Sequence, residues 1–194
     1  MIDPMYSLTG LMVGLIVGMT GVGGGALMTP ALVLIFGVHP ATAGGTDLLY
    51  ASITKMVGTL VHGRNDTVDW RVTGRLAIGS LPASVATISV LHGLGVTGGD
   101  AAWLIAKALG VALVFTSLAI ILGMRVRQMA PPTVEDRGAF ATIALGALIG
   151  ALVTVSSVGA GAVGVTALML LYPRMPIVRI VGSDIAHAVP LTLV

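Results

Sequence analysis

The chain has 194 residues, of which 56% are hydrophobic and 9% charged, and its mean hydropathy is +1.02. A soluble domain carries about 25% charged residues, so the composition excludes an ordinary soluble fold and makes the bilayer the solvent. The lack of cysteine excludes disulfides, thiolate metal sites and cysteine nucleophiles, and a formal charge of +2 rests on too few ionisable groups to mark a nucleic-acid binder.

The N-terminus, MIDPMYSLTG, opens with an acid and lacks a basic stretch, so it does not read as a cleaved signal peptide. Six apolar segments follow, at 8–38, 48–61, 76–91, 101–122, 140–171 and 177–194. Only 101–122 reads as an unbroken full span, rising about 33 Å as a helix against a hydrocarbon core of about 30 Å. The first segment is interrupted by Gly21, Gly23, Gly24 and Gly25, and the fifth by Gly159, Gly161 and Gly164. The halves of the first, 8–20 and 26–38, reach only about 20 Å each. They predict either a hairpin with its glycine tip inside the membrane or one tilted, unwound helix, and irregular backbone at that depth requires surrounding protein or a water-filled cavity.

The two interrupted segments are copies. Aligning 10–40 on 146–176 superposes Gly10 on Gly146, Gly14 on Gly150, Gly23 on Gly159, Gly25 on Gly161 and Pro40 on Pro176. One inserted residue later, Gly45-Thr46-Asp47 falls on Gly182-Ser183-Asp184. Broken apolar segments at corresponding positions of a repeat are the sequence mark of a secondary transporter's binding site.

Arginine placement orients the chain. Arg64, Arg71 and Arg75 flank one polar connection, and Arg125, Arg127 and Arg137 another, which makes both cytoplasmic. The loop around His39 lacks Lys and Arg, whereas its counterpart around Met175 has Arg174 and Arg179. That switch favours inverted over parallel repeats, with the N-terminus outside. The expected fold is an all-α, polytopic membrane helix bundle with inverted repeats and glycine-broken helices. Residues 1–123 form the first repeat, 124–138 a cytoplasmic linker and 139–194 an incomplete second repeat. By the repeat offset Val194 corresponds to Val57, so counterparts of 58–122 are expected beyond the end of a truncated chain or fragment.

Candidate binding residues gather at the breaks and the triplets. Glycine permits close backbone approach, and helices starting at Gly25 or Gly161 would aim free N–H groups and a positive dipole end into each break, a setting for an anion. Gly23, Gly24 and Gly159 belong to the same tips, and Thr20, Ser156 and Ser157 add hydroxyl donors. Gly10, Gly14, Gly18, Gly146 and Gly150 are expected to serve helix packing instead. Asp47 and Asp184, beside Thr46 and Ser183, are costly in an apolar span, by about 2.5–3.5 kcal/mol at mid-bilayer. Each either caps its helix or serves the substrate. Lys55, on nearly the same helix face as Asp47, attracts an anion, pairs with Asp47 or snorkels outward. His187 either relays a proton or is a packed core histidine. His39, His62, His92 and Lys107 are assigned no role.

The pattern of spaced glycines, the T/S-G/S-V-G-x-G break, the proline-ended half-helix and the G-T/S-D triplet, present in both copies, resembles the TauE/SafE family of membrane permeases, the sulfite exporter or toluene-sulfonate uptake permeases. Gly-Ser-Leu-Pro-Ala at 79–83 is similar to that family as well. The resemblance implies a bacterial inner-membrane transporter of small sulfur-containing or organic anions such as sulfite, sulfoacetate or sulfonates; export is the favoured direction because a potential negative inside already drives an anion outward. It implies no cofactor, metal or nucleic acid; the partners are the anion, protons if transport is proton-linked, and lipid. No G-x-S-x-G, H-E-x-x-H or acid-rich metal cluster supports an enzyme. A non-transporting assembly subunit and a cation- or proton-coupled permease are the alternatives.

Overall fold

The computed structural model describes residues 4–20, 27–93, 138–156 and 161–194, with single helical positions between 103 and 121. Seven helices and no strands are assigned among the described residues: α1 (Pro4–Thr20), α2 (Met28–Leu34), α3 (Pro40–Arg64), α4 (Trp70–Gly93), α5 (Ala139–Ser156), α6 (Ala162–Leu171) and α7 (Ile177–Leu193). Helices α4 and α5 are long and apolar enough to cross a membrane. Of the expected span at 101–122 only those single helical positions are described, and the linker at 124–138 apart from Gly138 and the tip residues Gly21, Gly23, Gly24, Gly25, Ser157 and Gly159 lie outside the described residues.

The order long, short, long recurs as α1–α2–α3 and α5–α6–α7, in the segments the repeat pairs. Within each copy the short helix packs on the long helix that follows it, and α3 of one copy packs on α7 of the other. Helix α4 lies against both α5 and α7.

Two boundaries differ from expectation. The second half of the first broken segment, expected over 26–38, is helical among the described residues only at Met28–Leu34. Gly37 takes φ +64°, and the Val38 N–H bonds the Leu32 carbonyl at 3.0 Å, a glycine-terminated helix end that turns the chain before His39. The apolar core at 48–61 belongs to a longer helix, because Pro40 starts α3 eight residues earlier at a position where its missing N–H costs nothing.

The interior holds hydroxyls beside an apolar core of Leu76, Ile149, Val153, Leu168 and Ile180. Thr29, Ser52, Thr73, Ser80, Ser84, Thr142, Ser156 and Thr192 are buried, whereas Leu11, Leu15, Leu34, Ile53, Leu60, Ile78 and Phe140 are exposed. Apolar side chains outside and hydroxyls inside match a lipid surround, where polar groups gain by facing the bundle interior. The α4–α5 crossing shows how close the helices come. A Cβ at Gly79 would fall on the Ile143 carbonyl oxygen, one at Gly146 on the Leu76 carbonyl oxygen and one at Gly150 on the Ser80 carbonyl oxygen. The packing role expected of Gly146 and Gly150 therefore holds. Among the described residues, Gly10 has nothing near its Cβ position and Gly14 meets only the Tyr50 hydroxyl at 3.4 Å.

Candidate functional site

The site is built where α3 and α7 cross. Asp47 is the eighth residue of α3 and Asp184 the eighth of α7, so the repeat-equivalent acids occupy equivalent turns. Neither caps its helix: the N-caps are His39 and Pro176, both without side-chain cap bonds. Capping would have placed each acid at the start of its helix, whereas both lie two turns inside and are at most 2% exposed.

Lys55 lies two turns beyond Asp47 on α3 and is half-buried. It lies within electrostatic range of Asp47, Asp184 and His187, so the four ionisable residues singled out in the two copies share one region of the bundle. His187, fully buried, places Nε2 2.7 Å from the Ser80 hydroxyl of α4, while its Nδ1 meets no hydrogen-bond partner among the described residues. Asp184 Oδ1 is likewise buried without a partner. It rests against Gly164 in the first turn of α6, where a Cβ would collide with it. Counted formally, the two carboxylates and the one ammonium leave one net negative charge. Among the described residues no three His, Asp or Glu are grouped to hold a metal ion.

The other expected site residues are placed less centrally. Thr46 is exposed and donates to the Thr42 carbonyl at 2.8 Å. The Ser156 hydroxyl donates to the Leu152 carbonyl at 2.6 Å, within its own helix. Thr20 ends α1. Gly161 is the N-cap of α6 with φ +154° and ψ −85°, a backbone that L side chains rarely adopt, so the helix starts where glycine allows it.

Ser183 secures the α3–α4 connection to α7. Its hydroxyl accepts the Asp69 N–H at 2.8 Å and donates to the Arg179 carbonyl at 2.7 Å. A Cβ at Gly182 would fall on the Thr67 carbonyl oxygen, so the triplet's glycine admits the same loop. Asp69 in turn accepts the N–H groups of Arg71 and Val72 at 3.0 and 3.2 Å, opening α4. Two participants carried no individual signal in the sequence. Ser80 stood inside the Gly-Ser-Leu-Pro-Ala motif without a role, and Gly164 counted only as part of a break.

The family described as sulfite exporter TauE/SafE matches residues 6–194. The chain belongs to this family. It is 38% identical over 187 residues to the probable membrane transporter protein YjnA of Bacillus subtilis (strain 168), covering 93% of this chain and 72% of that one. It is 27% identical to the probable membrane transporter protein YunE of the same organism, over 90% of this chain and 70% of the other. A probable membrane transporter protein of Xylella fastidiosa (strain 9a5c) is 31% identical over 75 residues, 39% of this chain and 29% of that one. No solved structure matches. This TauE/SafE protein is thus a membrane transporter, and the constellation at the α3–α7 crossing is its candidate substrate site.

Proposed function

We propose that this TauE/SafE protein carries small sulfur-containing anions, sulfite or an organosulfonate, across the bacterial inner membrane, with export as its direction. The observation that carries the reading is the convergence of Asp47, Lys55, Asp184 and His187 at one crossing of two helices drawn from the two repeat copies. Ionisable groups inside a membrane bundle are costly and mark substrate or ion pathways, and sites between repeat copies are where carriers bind. Lys55 supplies the cationic contact, and the first turn of α6 supplies backbone N–H groups that the helix itself does not use. The N-terminus lies outside, and the two copies cross in opposite senses. A membrane potential negative inside drives a bare monovalent anion outward by about 2.3 kcal/mol per 100 mV.

The test is flux from proteoliposomes loaded with sulfite or methanesulfonate. Wild-type protein should release both faster than empty liposomes, and Lys55→Met should reduce release to the background. Sodium movement with neither anion moving would point to the cation permease, and no flux of any kind to an assembly subunit.

A further inference from the structure

We infer that Asp184 is a tethered anion at the first turn of α6, and that the substrate anion binds there only when the Asp184 carboxyl carries a proton. The inference rests on the anion-carrier reading above and adds to it the condition under which the site opens.

Four observations meet at this point. The Asp184 side chain is 2% exposed and its Oδ1 lies against Gly164, the third residue of α6, where any Cβ would strike it. Oδ1 accepts no hydrogen bond there, so the carboxylate lies in the positive field of the helix end while leaving the first-turn donors to another acceptor. Lys55 acts on the same carboxylate. A substrate oxyanion would seek the same two partners, the donors of α6 and the ammonium of Lys55, and would meet the Asp184 charge at contact range.

The surrounding groups set the balance. Helix α3 brings Asp47 and Lys55, and α7 itself brings His187 one turn beyond Asp184. Helix α4 brings the Ser80 hydroxyl, its Arg75 being directed to the Tyr172 hydroxyl at 3.4 Å. Helix α6 contains no ionisable residue. With both acids ionised, an arriving anion adds to a net negative charge away from water, where like charges repel strongly. A proton on Asp184 brings the formal charge to zero and leaves Lys55 and α6 to the substrate. His187, on the same helix face as Asp184, keeps its Nδ1 buried with no hydrogen-bond partner among the described residues. Gly164 gives the room: only glycine lets the carboxyl lie on the first turn.

Binding of anion and proton is then reciprocal. If the proton travels with a monovalent anion the pair crosses without net charge, and if it stays behind the potential drives the crossing; the binding equilibrium is the same in both cases.

The experiment is titration of the purified full chain with methanesulfonate, whose own charge does not change with pH. Wild-type affinity should rise about tenfold per unit fall in pH while Asp184 is ionised in the free protein, with about one proton taken up from weak buffer per anion bound. Asp184→Asn should bind at every pH with the affinity that wild type reaches only in acid, and without proton uptake. Asp184→Glu should restore the slope. Anion binding by wild type without proton uptake overturns the tethered anion and leaves the carrier reading intact. Binding of neither methanesulfonate nor sulfite at any pH overturns both.

Discussion

At the scale of single residues, the cost of burying charge explains what the site contains. Each of Asp47, Asp184 and His187 would be unfavourable alone in an apolar bundle, and the α3–α7 crossing brings them to one lysine and one hydroxyl. Ser80→Ala leaves His187 Nε2 without its 2.7 Å partner, a loss of about 1–3 kcal/mol for a buried polar group. It should appear as a lower melting temperature that Ser80→Thr largely recovers; an unchanged melting temperature in Ser80→Ala would show that the bond contributes nothing. The convergence itself was only half legible in the sequence. Asp47 and Asp184 stood out as acids in apolar surroundings, but their spacing left capping open, because a triplet read along the chain does not show where the helix began.

At the scale of elements, glycine spacing had two meanings that look the same in sequence. Gly10 and Gly146 are repeat equivalents, each followed four residues later by a second glycine. Among the described residues only Gly146 of the two meets backbone at its Cβ position, the Leu76 carbonyl of α4, while Gly10 meets nothing within 4 Å. Gly146→Val should therefore destabilise by about 1–3 kcal/mol or more through overpacking, and Gly10→Val should leave stability nearly unchanged. Thermal unfolding of the two variants in one detergent measures the difference, and equal losses would contradict the α4–α5 crossing. A left-handed glycine at Gly37 ends α2 with a 3.0 Å bond from Val38 to Leu32, whereas α6 runs on to Leu171.

At the scale of the whole molecule, the proposed inversion of the two copies has a direct consequence. The loops near His39 and Met175 should open to opposite sides of the membrane. Because the chain contains no cysteine, His39→Cys and Met175→Cys each give a single label site. Impermeant maleimide applied to intact cells should modify the first and spare the second. Modification of both would make the copies parallel and put Arg174 and Arg179 outside, against the positive-inside preference.

Composition and pattern by themselves determined the class of solvent, the helical content, the repeat and the family, because each follows from local hydropathy and from residues recurring at fixed offsets. The identities of Lys55, the two aspartates and His187 as candidates were also legible, since an ionisable group in an apolar run is conspicuous whatever it touches. Tertiary structure alone decided which of them meet, that neither aspartate is a cap, and that Ser183 fastens a loop. It also brought Ser80 and Gly164 into the site. The physical reason is that a helix shows its sequence on every face, and only packing selects the face that is buried. Asp184 and Gly164 belong to different helices, and nothing along the chain records that the carboxyl of one lies on the missing side chain of the other.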